Sequence, residues 1–196
     1  MRKLDIGCGR HKQAGFEGMD LFPLPGVDIM WDLEKTPWPI EDDAYDEVIA
    51  YHSLQQVREV IPAVCEIHRI TKPGGLIRIR VPHAVSWNMW SDPMQKTFFG
   101  LRWFDCFDIQ STSEYTYYIP VQFEIVKKEL RFVGPGRFDP FRICGIAWLA
   151  NRCSRFFERF AAFMLPPTEV YFELRKVSAY RVGSRSGVNA KAGPPV

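Results

Sequence analysis

The chain is poor in the features that mark secretion, metal binding or nucleic-acid binding. Its five cysteines, Cys8, Cys65, Cys106, Cys144 and Cys153, are odd in number and widely spaced, without the close pairs used by zinc sites or redox pairs. They read as reduced thiols of a cytoplasmic protein. No apolar run is long enough to span a bilayer, and the N-terminus enters a strand with no basic-then-apolar leader, so neither a membrane span nor secretion is expected. A formal charge of +2 over 196 residues, with no long run of Lys or Arg, gives no footprint for a nucleic-acid backbone. Nucleic acid is not an expected partner. There is no internal repeat and no metal-ligand cluster, so no metal is expected.

What is present begins at once. Leu4-Asp5-Ile6-Gly7-Cys8-Gly9 is a short apolar strand, interrupted by an acid, running into a Gly-x-Gly turn that lets backbone N–H groups approach a ligand with no Cβ in the way. Glycine pairs after a strand also end ordinary turns. A dinucleotide fingerprint needs a third glycine three residues after Gly9, where this chain has Lys12, and a full crossover helix does not fit between Gly9 and Asp20. The nicotinamide reading weakens accordingly. An apolar share of 46% is enough for one core, and one domain over residues 1–180 is expected, with a loose tail at 181–196.

Asp5-x-Gly7-x-Gly9, Gly15-Phe16 leading to Asp20, Asp28-Ile29-Met30-Trp31-Asp32-Leu33, Pro37-Trp38-Pro39, Asp46-Glu47-Val48 and Glu66-Ile67-His68-Arg69-Ile70-Thr71-Lys72-Pro73-Gly74-Gly75 follow one another in order. Together they resemble the small class I S-adenosylmethionine-dependent methyltransferases, over residues 3–82. The resemblance implies an α/β, Rossmann-like fold with a mostly parallel central sheet, helices on both faces and an antiparallel C-terminal strand. It also implies S-adenosyl-L-methionine as cofactor, lined by Asp5, Gly7, Cys8, Gly9, Asp20, Leu21, Asp32, Leu33 and His52. Asp20, at the end of the second strand, would accept the ribose hydroxyls, or else cap a turn. Asp32 and Leu33 would flank the adenine, with a helix cap as the alternative for the acid. Trp38 either covers the adenine or packs its loop.

Strands are expected at Arg2–Ile6, Phe16–Asp20, Val27–Trp31, Asp46–Tyr51, Leu76–Val81, Tyr117–Phe132 and Val170–Tyr180, with a helix from Leu54 to Ile70. Residues 84–110 carry Trp87, Met89, Trp90, Phe98, Phe99, Trp103, Phe104 and Phe107, either as a lid over the acceptor pocket or as a helix buried on the sheet. His52 and His83 each follow a strand at the ligand-bearing edge, where an imidazole takes a proton or simply bonds the backbone; Asp92 would position such a base or the acceptor, or sit in a solvated turn.

Many relatives have Leu-Glu-His after the fourth strand and Asp-Pro-x-His further on, where this chain has Leu54-Gln55-Gln56 and Asp92-Pro93-Met94-Gln95. Glutamine does not titrate near neutrality. Gln56 and Gln95 are expected to face each other and, with Trp87 and Trp90, to orient substrate. The expected activity is methyl transfer to N or O of a small molecule, such as a sugar, polyketide or lipid-linked intermediate. The alternative is a catalytically silent module with a regulatory or structural role. The Asn/Asp-Pro-Pro-aromatic signature of base methylation is not present, since Pro166-Pro167 is followed by Thr168 and lacks the acid. A helix over 141–165 has one apolar stripe for the sheet and a second row at Leu149, Phe156 and Phe163. That row needs a cover: the aromatic segment, a second copy in a homodimer, or weak association with an anionic membrane.

Overall fold

The computed structural model describes residues 1–111, 119–132 and 144–177. Short runs ending in an acid or a glycine turn make β1 (Lys3–Ile6) and β2 (Glu17–Asp20), and a two-residue β3 (Ile29–Met30) follows. Next come β4 (Tyr45–Tyr51), β5 (Thr71–Pro82), β6 (Phe123–Arg131) and β7 (Glu169–Lys176). The seven strands form one sheet in the order β3-β2-β1-β4-β5-β7-β6. Pairings from β3 through β5 are parallel, and β7 lies antiparallel between β5 and β6. The sheet is therefore Rossmann-like and mostly parallel, as the resemblance implies. The chain winds one way from β1 to β3 and the other way from β4, so the ligand-binding switch point lies at the carboxyl ends of β1 and β4.

One face of the sheet is apolar. Leu4, Ile6, Val48, Ala50, Ile77, Ile79, Val81, Phe172 and Leu174 join one core cluster. Against it packs α1 (Val60–Ile70), which buries Val60, Ala63, Val64, Ile67 and Ile70. The helix expected from Leu54 is divided: a 3-10 turn at Leu54–Gln56 precedes α1. Pro62 explains the division, since its ring clashes with the carbonyl four residues back and is tolerated only in a helix's first turn. Regular β4–β5 pairing resumes at Leu76 after Pro73-Gly74-Gly75, with Gly74 at φ +77°.

The opposite face is polar. Lys3 and Arg78 both pair with Glu47, Arg78 also reaches Glu173, and Tyr171 donates to Glu173. The crossovers β1–β2 and β2–β3 contain no helix, and on this face ion pairs fill the surface between the strands.

The aromatic segment divides between its two expected roles. Phe99, Leu101, Phe104 and Phe107 are core, and a 3-10 helix over Trp103–Phe107 stacks its rings on one another and on Phe172 and Phe123. Trp87 and Trp90, in the short α2 (Trp87–Ser91), are exposed. The long helix expected over 141–165 is instead two short ones, α3 (Ile146–Arg152) and α4 (Ser154–Phe160), broken at Cys153; residues 141–143 lie outside the described residues. The break follows Asn151, whose side chain takes both backbone groups of Leu130 on the edge strand β6 and also bonds the Ala147 carbonyl. A side chain inserted among a helix's own carbonyls is a recognised cause of bending. The sixth strand begins at Phe123 and the seventh ends at Lys176; Tyr117, Tyr180 and the expected tail at 181–196 lie outside the described residues.

Candidate functional site

The turn after β1 is held from three sides. Gly7 and Gly9 take φ +65° and +54°, and the Gly7 N–H donates to the Met19 carbonyl at 2.7 Å, tying the turn to β2. Gly9 N–H donates to the Asp20 carboxylate at 2.8 Å, and Gln13 N–H to that of Asp5 at 2.8 Å. The two glycines serve different purposes. A Cβ on Gly7 would lie 2.3 Å from Cβ of Ser53, the residue that follows β4 and its exit through His52; a Cβ on Gly9 would meet nothing within 4 Å. Gly7 is needed for the protein's own packing, whereas Gly9 leaves backbone open to a ligand.

Asp20 accepts from Gly9 with one oxygen and from the Phe22 N–H, at 3.1 Å, with the other, so both oxygens retain lone pairs for a diol. Asp5 is buried. Burial pushes its carboxyl up, the Gln13 N–H opposes this, and the neighbouring Asp20 adds to the rise. Burial, then Asp5 and Asp20, raise the Cys8 thiol to about 11, so Cys8 stays a neutral thiol. Leu21 is exposed.

Asp32 follows β3 one residue after Trp31, whose N–H donates to the Asp20 carbonyl. Its carboxylate accepts from Glu34 N–H at 3.0 Å and so shapes its own turn, while the Leu33 carbonyl accepts from the Trp38 indole at 3.3 Å. Trp38 is buried in the core, which fits the loop-packing alternative.

The two histidines differ. His52 is in the left-handed region at φ +57°, its side chain 39% exposed, with Nε2 2.9 Å from Glu169 Oε1. Burial alone would raise Glu169, but the bond to His52 and the charges of His52, Arg80 and Arg131 hold its carboxyl below the ordinary range. His83 is buried, with Nδ1 accepting from Val85 N–H at 3.2 Å and Nε2 3.1 Å from Glu158 Oε1. Glu158 also accepts from Leu101 N–H at 2.7 Å. With both ring nitrogens bonded inside the protein, His83 has no lone pair free to take a substrate proton.

Asp92 is occupied as a turn acid, accepting from Met94 N–H and from Gln95 Nε2 at 2.9 and 2.7 Å. The facing amide pair does not form: Gln95 gives its amide to Asp92, and Gln56 is exposed. The buried glutamine is Gln55, whose backbone carbonyl accepts from both Lys96 and Thr97 N–H, drawing the 92–97 loop onto the 3-10 turn after β4. The buried Ser53 Oγ, Gln55 Oε1, Ser86 Oγ and Gln95 Oε1, all from loops after β4 and β5, have no partner among the described residues. Gln55 and Glu169 escaped sequence reasoning, because nothing local distinguishes Gln55 from its neighbour or brings Glu169, 117 residues away, to His52. No group of three His, Cys, Asp or Glu suited to a metal occurs among the described residues, and no described helix is long and apolar enough to cross a membrane.

A family model described as a methyltransferase domain matches residues 23–79. No curated protein matches the chain. Among solved structures, the chain is similar to a SAM-dependent methyltransferase from Archaeoglobus fulgidus, at 16% identity and TM-score 0.58, covering 89% of this chain and 86% of that one. It is also similar to a Haloferax volcanii complex of a methyltransferase with the Trm112 methyltransferase activator (15% identity, TM-score 0.57, coverage 90% and 83%). A third is an S-adenosylmethionine-dependent methyltransferase from Mesorhizobium loti (16% identity, TM-score 0.51, coverage 89% and 90%). Strand order, glycine turn and these matches give the chain the Rossmann-like fold shared by class I S-adenosylmethionine-dependent methyltransferases.

Proposed function

We propose that the chain transfers a methyl group from S-adenosyl-L-methionine to N or O of a small-molecule acceptor in the cytoplasm. The observation that carries this reading is the turn itself: Gly9 opens onto free space while its N–H fixes Asp20, leaving lone pairs for a ribose. Asp5, Gly7, Cys8, Gly9, Asp20 and Leu21 would hold the cofactor, with Asp32 and Leu33 continuing the same edge after β3. The buried, unpartnered Ser53 Oγ beside Gly7 is a further polar group suited to such a ligand. When bound, the cofactor supplies an activated methyl on a sulfonium, so the protein's tasks are alignment, exclusion of water and removal of any acceptor proton.

His52 is the residue we assign to that proton. Glu169 at Nε2 favours the tautomer with its hydrogen there, which leaves the Nδ1 lone pair as base. His83, with both nitrogens engaged, is a positioning residue for the segment after β5. The unpartnered oxygens of Gln55 and Gln95 would bind donor groups of the acceptor, with Trp87 and Trp90 beside them; Asp92 orients Gln95. All five cysteines are free, in keeping with a reducing compartment.

Calorimetry with S-adenosyl-L-methionine tests the cofactor half. Asp20→Ala removes charge-assisted bonds of roughly 1.5–3 kcal/mol each, so affinity should fall about tenfold or more. Unchanged affinity would sink the ribose assignment. For the chemistry, formation of S-adenosylhomocysteine with pooled acceptors should drop about a hundredfold in His52→Ala at unaltered cofactor affinity.

A further inference from the structure

Among the described residues, exposed large apolar side chains gather on the outer side of α3 and α4 and the turn that follows. Trp148, Leu149, Phe156, Phe160, Phe163 and Met164 are each more than half exposed, from Leu149 at 55% to Met164 at 83%. The Phe156 and Phe160 rings lie 5.0 Å apart, so that part is a continuous apolar stripe. The first of the three expected covers is thereby removed: the aromatic segment spends its rings in the core and on its own α2 face, and leaves the row bare.

The charge within the patch is of one sign. Arg152, Arg155 and Arg159 stand between the apolar side chains and make no ion pair among the described residues. A cavity of about 650 Å³ opens there, lined by Arg102, Arg155, Phe156, Glu158, Arg159 and Phe160. Its one acid is turned inward, since Glu158 is committed to His83 and to the Leu101 N–H. Arg102 already holds Asp105 at 3.2 Å, which leaves Arg155 and Arg159, the latter over the Phe160 ring at 5.5 Å, as the lining cations with no carboxylate partner among the described residues. A two-fold dimer through this face would bring the arginines of both copies into one interface, with no outward-facing acid among the described residues of the patch to offset them. An anionic surface meets the same arrangement favourably: aromatic and aliphatic side chains enter the acyl boundary while guanidinium groups take headgroup phosphates. An exposed Trp at the edge of such a face is the residue type that settles at the headgroup level.

We propose that the α3–α4 face docks the protein onto an anionic phospholipid bilayer, with Arg155 and Arg159 against headgroup phosphates and Phe156, Phe160 and Phe163 in the acyl boundary. The Glu158 bonds to His83 and Leu101 fasten this face to the carboxyl end of β5, so docking brings the ligand-bearing edge of the sheet to the lipid surface. Exposed Trp87 and Trp90 follow that same strand end.

The test is flotation of the full chain with vesicles of phosphatidylcholine alone and of phosphatidylcholine mixed with phosphatidylglycerol. Recovery should be confined to the anionic vesicles and should fall as salt rises. Arg155→Glu with Arg159→Glu should lower it about tenfold or more, and Phe156→Asp with Phe163→Asp should abolish it. These side chains are mostly exposed, so melting temperatures should stay near that of the parent. Absence of flotation, flotation indifferent to vesicle charge, or a sedimentation dimer that the Phe→Asp pair dissociates would each overturn the proposal; the last puts a second copy on the face. A large fall in melting temperature in the Phe→Asp pair would overturn it too, by making the row internal packing. None of these readouts depends on methyl transfer.

Discussion

Residues 3–82 and residues 84–176 contribute to one sheet, but they are fastened by different means. In the first region the bonds that shape the glycine turn and its neighbouring strands are close in sequence: Gly7 N–H to Met19, Gly9 N–H to Asp20, and Gly18 N–H to the Asp28 carboxylate at 2.7 Å. In the second they are long: Glu158 reaches back to His83 and Leu101, Asn151 to Leu130, and Lys176 to Asp43 at 2.6 Å. The first region thus makes its ligand turn from parts it carries itself, while the second is positioned by side chains far apart in the chain. The proposed base joins the two, because His52 comes from the first and its carboxylate, Glu169, opens β7 in the second.

The sharpest way to break that comparison is at the two glycines of the turn. Gly7→Val adds a branched Cβ that would sit 2.3 Å from Ser53, at a φ of +65° that costs a side chain about 1–2 kcal/mol. Forcing the neighbours apart adds typically 1–3 kcal/mol. Together these approach the whole stability of a domain at the lower end of about 5–15 kcal/mol. Thermal melting should show Gly7→Val unfolded or severely weakened. Gly9→Ala should lose only the φ term, remain folded, and be impaired in cofactor affinity. Equal melting losses would mean that the two glycines do the same work, contrary to their surroundings.

A smaller effect separates the two carboxylate–histidine contacts of the second region. Glu158→Ala leaves the Leu101 N–H without an acceptor, at about 1–3 kcal/mol. At about 2–4 °C per kcal/mol for a chain of this size, the melting temperature should fall by several degrees. Glu169→Ala acts on the half-exposed His52, so its melting should shift less while methyl transfer suffers more. A Glu158 variant that melts like the parent but loses catalysis would exchange the roles of His52 and His83. Both carboxyls are held below their ordinary range in the fold, Glu158 against its burial by the His83 bond and the Leu101 N–H. The stability they contribute is present above the ordinary carboxylate pKa and is lost as pH falls through their lowered values.

The same contrast explains what the sequence makes legible. The turn Gly7-Cys8-Gly9, the acids Asp5 and Asp20 and the strands around them declare themselves locally, because a glycine at positive φ and an acid at a strand end carry their reasons with them. Pro62 was equally visible and divides the helix expected from Leu54 to Ile70. Beyond Pro82 periodicity misleads. The 141–165 stripe is helical in spacing, yet Asn151 binds a strand twenty-one residues away and the helix breaks beside it. Which of two adjacent glutamines is buried turns on Lys96 and Thr97 folding back onto it, and how the two histidines are engaged depends on carboxylates 75 and 117 residues distant. No window along the chain contains that information.

The smallest expected effect lies where the two regions touch. His68, on α1, sets its ring edge-on to Phe123 of β6 at 5.2 Å. Burial, then the positive charge of Lys176, lowers its pKa from 6.5 to about 4, with Asp43 and a backbone bond at Gln122 opposing. The ring is therefore neutral in the fold across a range where the unfolded chain takes up a proton. Stability from this site is complete above about pH 6.5, where neither state is protonated, and is lost progressively as pH falls toward 4. Each pH unit within that window removes at most about 1.4 kcal/mol. His68→Phe keeps an aromatic ring against Phe123 and removes the titration. Its melting temperature should lie close to the parent's at pH 7.5 and above it at pH 5, giving a flatter profile between the two. If the variant and the parent lose stability in parallel over that interval, His68 already bears its proton in the fold, and the contact between α1 and β6 is wetter than its ring packing implies.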